Sequence, residues 1–310
     1  MINRVLIRIK VVQMIYNFML TRSIKSPEMA RKELQQSFDK SYELYNYLLK
    51  LIIDLTDLQD RYLDESRHKF LPTHEDLNPN LKFVENELVE LLRENEQLQQ
   101  YIRDHKLSWR DNEIFLKLIL NKIQNSDIYH EYMENGSSDL DGDCYFWIQI
   151  FKRLLIDDDD LLEELESQSV YWSSDDLDFM GQFVIKTIKR FNDGSNQPIM
   201  PQFKDQEDAD YGPELFTATL DQEDLNTATI EKFIDSRHWD SDRIALIDRV
   251  ILLVALAEVR SFEKIPTTVT LNEYIEIAKS FSSPSSSAFV NGVLNAAIRE
   301  LKYAGVIRKP

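Results

Sequence analysis

The sequence has few of the residues that interrupt regular structure, with seven glycines and nine prolines among 310 residues. β-Sandwiches, barrels and loop-rich α/β enzymes need many more turn residues, so the composition argues against these classes. Leu, Asp, Ile and Glu dominate instead, a composition that fits a helical protein. The sequence therefore predicts an all-α fold.

Cysteine and long apolar runs are also scarce. Cys144 stands alone, which excludes intrachain disulfides and cysteine-based zinc sites and fits a reducing compartment. It lies in an aromatic helical pattern, which favours a small buried side chain over a nucleophile. Lys10 and Gln13 interrupt the apolar N-terminal segment, so we do not interpret it as a signal peptide. No window reaches about eighteen uncharged apolar residues, so the sequence predicts a cytoplasmic protein without a membrane span.

Motifs for chemistry are missing as well. Each glycine stands apart from the others, whereas phosphate- and dinucleotide-binding loops need clustered glycines. The five histidines do not have the spacing of a metal-binding motif. Acidic pairs are common, but in so acidic a chain they carry little catalytic information. We therefore expect no enzymatic activity, no cofactor and no metal.

The charges are distributed unevenly. The net charge is −18, and residues 139–242 alone contain 26 acidic and eight basic residues, so the remainder is neutral overall. Residues 1–26 contain no acid but five cations, which are Arg4, Arg8, Lys10, Arg22 and Lys25. Such an arm predicts a local contact with a polyanion. The alternative is that these cations form the solvated face of a first helix.

Periodicity divides the chain into helices. Apolar residues at 3–4 spacing predict a helix over 2–20 and a second from Pro27 to about Glu65. Residues 81–102 repeat apolar positions as 3-4-3-4, with Asn95 at an a position. This pattern fits either a coiled coil whose register Asn95 fixes or a helix packed on its own domain. Residues 193–213 are rich in Pro, Gly and acids and are predicted to be a linker.

Three segments in the second half of the chain form a co-linear set of motifs. They are DRIALIDRVILLVALAEV from Asp242 to Val259, IPTTVTLNEYIEIAKSF from Ile265 to Phe281, and FVNGVLN from Phe289 to Asn295. Together they resemble the NusB family of bacterial transcription antitermination factors. Their order and spacing match the family over about fifty residues. Near the other end, the run from Gln13 to Tyr16 is similar to the family's Gln-x-Leu-Tyr signature, and DFMGQFVIKTI resembles the helix that closes its N-terminal half.

The resemblance covers roughly residues 1–25 and 175–308, and it implies a domain organisation. The expected parts are a first helix with a basic motif (1–26), a helical insertion (27–170), the rest of an N-terminal bundle (171–192), the linker (193–213) and a C-terminal bundle (214–310). The family implies two packed helical bundles that bind boxA-type single-stranded RNA in ribosomal RNA transcripts. It also implies two kinds of protein partner, namely NusE, a small-subunit ribosomal protein, and RNA polymerase elongating with other Nus factors.

The resemblance also assigns expected contacts. Arg4 and Arg8 fall on arginine positions of the family motif, but Val5 and Leu6 replace its other two arginines. The residues expected at RNA are Arg4, Arg8, Lys10, Gln13 and Phe289. The residues expected at NusE are Tyr16, Phe289 and Ser285, where some relatives carry an acid instead of the serine. We expect Arg4 and Phe289 to share one surface.

Six further residues belong to the matching motifs. Asn291 and Gly292 interrupt an apolar helical run, where glycine is costly. They either allow close packing of the last helix, with Asn291 bonding a nearby loop, or shape a contact surface beside Phe289. Glu276 and Lys279 are interpreted as solvated or helix-bridging. Asn272 and Glu273 follow Thr270 and fit a capped helix start.

Two other functions stay open from the sequence. A scaffold with weak or no RNA contact would fit the thin basic motif and the large insertion. An enzyme is the other possibility, because the same helical domain resembles the front module of certain RNA cytosine methyltransferases. Those proteins need a following glycine-rich cofactor domain, which we expect to be absent because the family motif ends near Pro310. The sequence does not predict the oligomeric state.

Overall fold

A computed structural model describes residues 2–136, 139–235, 244–283 and 285–309. These residues form an all-α fold, as the composition and the family resemblance predict. Their α-helices are α1 (Arg4–Thr21), α2 (Pro27–Arg67), α3 (His74–Leu77), α4 (Glu87–Glu94), α5 (Glu96–His105), α6 (Glu113–Gln124), α7 (Asp127–Glu134), α8 (Leu140–Ile150), α9 (Asp159–Gln168), α10 (Ser174–Asn192), α11 (Gln206–Asp221), α12 (Glu223–Asp235), α13 (Leu246–Ser261), α14 (Thr267–Phe281) and α15 (Ser286–Tyr303). Within the described ranges, no helix has both the length and the apolar character needed to cross a membrane.

The chain forms two compact units. The central unit comprises Asp39–Gln202, and the terminal unit comprises Ile2–Phe38 together with Phe203–Pro310. The divisions therefore lie near residues 38 and 202, whereas the sequence predicted an insertion over 27–170. Helix α10, which we expected in the N-terminal bundle, groups with the central unit.

The terminal unit is built around α13. This helix is apolar on nearly every side and buries eleven of its residues, so it needs neighbours all round. Helices α1, α11, α12, α14 and α15 each pack against it. Helix α1 is also buried over the whole run from Leu6 to Val12. The first residues of the motif that starts at Asp242 lie outside the described residues.

The predicted linker over 193–213 is wrong in its second part, because α11 begins at Gln206. The Asp205 carboxylate accepts a hydrogen bond from the backbone N–H of Asp208 at 3.0 Å and caps the helix. The acids that suggested a linker are therefore a helix start, where they are electrostatically favoured. Gly212 also has a packing role inside α11. A Cβ there would lie 2.8 Å from Phe38 Cζ and 3.0 Å from Ile7 Cγ2, so a larger residue would collide with the core.

The central unit has an aromatic core and does not contain the predicted continuous seam over 81–102. Its largest buried side chains include Trp109 and Trp147, and the Trp109 ring stacks on Tyr47 with 3.9 Å between the ring centroids. The expected seam is divided between α4 and α5 because Asn95 ends the first helix and caps the second. The Asn95 side chain accepts from the N–H of Leu98 at 2.9 Å. Asparagine competes with helical backbone bonds in this way, so the same residue that suggested a register position is a helix boundary.

Candidate functional site

Arg8 lies in the interior of the terminal unit. Its side chain is 3% exposed, and its guanidinium makes a bidentate pair with Glu258, with Nε 2.7 Å from Oε2 and Nη2 3.2 Å from Oε1. Burial lowers the pKa of Arg8, but the charge of Glu258 and its hydrogen bonds more than offset this, so the pKa is raised. The side chain therefore stays charged and fully engaged.

The Glu258 carboxylate collects further donors from three buried side chains. Tyr211 and Tyr274 donate from their hydroxyls, the latter at 3.3 Å, and Thr270 Oγ1 donates at 2.6 Å. Burial and the neighbouring charge of Glu258 raise the pKa of both tyrosines. We call Arg8, Glu258, Tyr211, Thr270 and Tyr274 the buried polar cluster. Within this cluster, both carboxylate oxygens of Glu258 accept hydrogen bonds, as a buried charge requires.

The sequence analysis assigned no role to Glu258. A signal was present, because Glu258 is the acid in the Ala-x-Glu ending of a largely apolar helix. An acid near the end of such a helix must find a cation or several donors when the helix is buried. The sequence could not identify the donor, since Arg8 lies 250 positions away.

The burial of Arg8 bears directly on its expected contact with RNA. A guanidinium that is enclosed and paired through Nε and Nη2 cannot reach a phosphate without disrupting the core. Lys10 is buried too, with 5% of the residue exposed. We therefore assign Arg8 and Lys10 to the interior of the unit.

Arg4 lies at the edge of the same unit and is partly accessible. Its side chain is 31% exposed, with Nε 2.8 Å from Asp208 Oδ1 and Nη2 3.0 Å from Glu207 Oε1. The guanidinium carbon lies 5.1 Å from the centre of the Tyr211 ring. Burial lowers the pKa of Arg4, but the two carboxylates more than offset this effect, so the pKa is raised. Arg4 and Tyr211 also line a cavity of about 400 Å³.

The other residues expected at RNA or NusE lie on α1 and at the start of α15. Gln13, Tyr16 and Phe289 are half-buried, and Ser285 is exposed. Helices α1 and α15 both pack against α13, so the structure brings these residues onto one unit. The expected contacts of these residues with RNA or NusE stay predictions.

Two serines next to Ser285 connect α15 to the core. The buried Ser286 hydroxyl donates to Asp248 Oδ2 at 2.8 Å, and Ser283 Oγ lies 2.8 Å from Ser286 Oγ. Ser285 Oγ lies 3.1 Å from Ser283 Oγ at the rim of this group. The sequence analysis missed both Ser286 and Asp248, which position the segment that precedes Phe289.

The expected cap at Asn272 and Glu273 is wrong, because α14 begins at Thr267 and both residues lie inside it. Glu273 instead faces the buried polar cluster, with Oε2 3.8 Å from Arg8 Nη1. Glu276 and Lys279 pair with each other on the exposed side of α14 at 2.6 Å. The pair connects adjacent turns of one helix and is exposed, which agrees with the interpretation of both residues as solvated.

Asn291 and Gly292 lie in the first half of α15. Asn291 is exposed, and the side-chain amide of Asn295 donates to its backbone oxygen at 3.0 Å. This hydrogen bond stays within the helix, whereas the packing interpretation expected Asn291 to bond a nearby loop. Gly292 is half-buried.

Comparison with known proteins identifies the family to which these helices belong. Residues 178–299 match the NusB family. The transcription antitermination protein NusB of Salinibacter ruber is 39% identical over 110 residues, which are 36% of this chain and 68% of that protein. Proteins of the same name from Chloroherpeton thalassium and Koribacter versatilis are 41% and 49% identical, over 28% and 23% of this chain. The chain spans 40% and 51% of the lengths of those two relatives. This chain belongs to the NusB family.

Proposed function

We propose that this chain is a non-enzymatic, cytoplasmic transcription antitermination factor. It binds boxA-type single-stranded RNA of ribosomal RNA transcripts together with NusE and promotes read-through by RNA polymerase and its other Nus factors. The family match over residues 178–299 carries the proposal, because relatives that are 39–49% identical to parts of this chain are named transcription antitermination proteins.

The proposed RNA surface lies on the terminal unit. It uses Arg4, Gln13 and Phe289, while Tyr16 and Ser285 face NusE. A half-buried phenylalanine offers a ring on which an unpaired base can stack, and a partly exposed arginine can neutralise a phosphate. Arg8 and Lys10 are left out because their side chains are buried.

Binding through Arg4 requires an exchange of partners. In the free protein, Glu207 and Asp208 already hold its guanidinium, and Lys264 Nζ lies 3.4 Å from Glu207. A phosphate must displace these carboxylates, so the free energy gained from the new contact is partly cancelled. We therefore propose weak RNA binding by the chain alone and stronger binding when NusE adds its own surface.

A gel-shift titration tests this proposal. Labelled boxA-type RNA is mixed with the full chain, with NusE, or with both, and a scrambled RNA of equal length is the control. We expect a sequence-dependent complex only when both proteins are present or at high chain concentration. Equal binding of the boxA-type and scrambled RNAs, or no complex with both proteins, would contradict the proposed function.

A scaffold is the second candidate, favoured by the charge of the central unit. Residues 39–202 contain 34 acidic and 17 basic residues. Such a surface suits basic proteins and repels RNA. Capture of NusE by the chain at physiological salt, with no RNA affinity under any condition of the titration, would favour this alternative.

A further inference from the structure

One stripe of α15 continues from the family motif to the end of the helix. Phe289, Gly292, Ala296, Arg299 and Tyr303 follow one another at intervals of three, four, three and four residues. This spacing places them on one side of the helix. The first and last residues lie about 21 Å apart along the axis, from the 1.5 Å rise per residue. The opposite side is buried and includes Val290, Val293, Leu294, Ala297, Ile298 and Leu301.

The far end of this stripe is basic and aromatic. Arg299, Lys302 and Tyr303 are exposed, and Tyr303 has 96% of its surface accessible. In the part of the chain that the structure describes, neither Arg299 nor Lys302 has a carboxylate within 4.0 Å, and the same holds for Arg308. The nearby acid, Glu300, is already paired with Lys232 at 2.7 Å. This end of α15 therefore has a local excess of positive charge.

The segment after α15 is held in place. Gly305 adopts a φ of 69°, which favours glycine, and Val306 N–H donates back to the Leu301 carbonyl at 3.0 Å. Lys309 is buried, and its Nζ donates to the carbonyls of Glu258 and Phe262 at 3.2 and 2.9 Å. These contacts order the residues on either side of Arg308.

The electrostatics of Lys309 show that Lys302 lies nearby. Burial lowers the pKa of Lys309 most, Glu258 and Glu263 oppose this, and the ammonium group of Lys302 lowers the pKa by a smaller amount. Lys302 is therefore close enough to affect the pKa of Lys309. Within the described ranges, Lys302 itself has no carboxylate within 4.0 Å. A mobile anion would be attracted to such a surface.

We propose that the stripe from Phe289 to Tyr303, flanked by Lys302 and Arg308, is a track for single-stranded RNA. A base stacks on Tyr303, the cations contact phosphates, and the small residues between the two aromatic rings let the strand lie close to the helix. This inference rests on the proposed function and extends its RNA surface beyond residue 299, where the family match ends.

Two observations favour single-stranded RNA over other anions. Cations near a helix C-terminus stabilise the helix dipole, which explains Lys302 but not the nearly complete exposure of a tyrosine beside it. An exposed ring among cations has both elements that single-strand recognition uses, namely stacking on base faces and neutralisation of phosphates. A lipid surface would use the same cations and could bury the rings at its interface, so vesicle binding is measured separately.

The test compares three variants in fluorescence anisotropy titrations with two probes. The probes are boxA-type RNA in the presence of NusE and a uridine 12-mer with the chain alone. We expect Tyr303→Ala to weaken binding of both about tenfold, as loss of one stacked base does, and Tyr303→Phe to retain it. Arg299→Gln with Lys302→Gln should weaken binding and reduce the salt slope of log K by about 1.4, from about 0.7 per phosphate contact.

A matched control removes two other exposed cations from the same unit. Arg31→Gln with Lys32→Gln changes the net charge equally at the start of α2, far from any residue of the stripe in sequence. We expect this variant to bind RNA almost as well as the wild type, with the same salt slope. Circular dichroism and urea unfolding verify that all variants fold alike.

The outcomes separate this inference from the proposed function. If the wild type binds boxA-type RNA with NusE and the stripe variants match the control, the inference is wrong and the proposed function stands. If the wild type shows no boxA preference but the uridine 12-mer depends on Tyr303, the proposed function fails and the track remains. The same variants are also titrated with phosphatidylglycerol vesicles, and a loss confined to vesicle binding would overturn the inference in favour of a lipid contact.

Discussion

The two units differ sharply in charge. The central unit has a formal charge of −17, from 34 acidic and 17 basic residues, and the terminal unit has −1, from 20 and 19. The net charge of the chain therefore describes one unit only. The terminal unit, which contains most of the NusB-family match, is nearly balanced, so exposed cations within it can act without a large opposing field.

Two buried acids, one in each unit, are held in different ways. In the terminal unit, Glu258 pairs with a cation from α1. In the central unit, the buried Asp143 carboxylate is held by neutral donors, with Tyr132 Oη at 2.6 Å and the N–H of Glu87 at 2.6 Å. Burial and nearby acids raise the pKa of the adjacent Cys144 to about 12, so this thiol is inert. We expect the loss of the cation at Glu258 to be more costly than the loss of the acid at Asp143.

The largest expected effect follows from breaking the charged pair. Arg8→Ala leaves the Glu258 carboxylate buried without its cation, and we expect the free energy of unfolding of the terminal unit to fall by about 3–5 kcal/mol. Amide hydrogen exchange in α13 measures the change. Arg4→Ala, which removes a partly exposed pair on the same helix, should cost less than about 1 kcal/mol. Equal effects of the two variants would contradict the assignment of Arg8 to the interior.

A smaller loss is expected in the central unit. Asp143→Ala removes the acceptor of two hydrogen bonds. A hydrogen bond to a charged group contributes about 1.5–3 kcal/mol to stability. We expect a decrease within that range in the stability of α8, measured by hydrogen exchange. Asp141→Ala is the matched control, because Asp141 lies in the same first turn but is exposed. A loss as large as that of Arg8→Ala would remove the contrast between Glu258 and Asp143.

An increase in RNA affinity is expected from freeing Arg4. Glu207→Gln with Asp208→Asn removes the carboxylates that occupy its guanidinium and two negative charges beside it. If Arg4 contacts RNA, the double variant should bind boxA-type RNA several-fold more tightly in the presence of NusE, as measured by anisotropy. The same substitutions combined with Arg4→Ala should retain little of that gain. A gain that persists without Arg4 would show that only the general field has changed.

The smallest effect is expected at Glu276 and Lys279. Both side chains are more than half exposed, and an ion pair between adjacent turns in water contributes little. We expect Lys279→Ala to leave the urea midpoint and the RNA affinity unchanged within error. A clear loss of RNA affinity would add this side of α14 to the proposed surface.

Local patterns made part of the fold predictable. The periodic helices over 2–20 and from Pro27 correspond to α1 and α2, because apolar spacing and a first-turn proline act within a few residues. The boundary at Asn95 could not be predicted in this way, because asparagine occurs both at a positions of coiled coils and at helix caps. The start of α11 was missed for a similar reason, because capping acids also occur in linkers.

The site was harder to predict because its partners are distant in the sequence. A basic residue on α1 could equally be solvated or buried, and only Glu258 on α13 decides which applies to Arg8. Tyr303 has no family motif around it, and its exposure depends on which side of α15 the other helices cover. Spacing alone placed Phe289 and Tyr303 on one stripe, but the sequence analysis did not extend beyond the motif.

The pairing of Arg8 with Glu258 has a consequence for synthesis of the protein. The two residues are 250 positions apart, so at about 5–20 residues per second the first helix emerges about 12–50 s before its partner exists. The central unit is contiguous in sequence and can complete its core during that interval. The nascent α1, with its apolar run from Leu6 to Val12, meanwhile needs temporary cover from a chaperone or the ribosome surface.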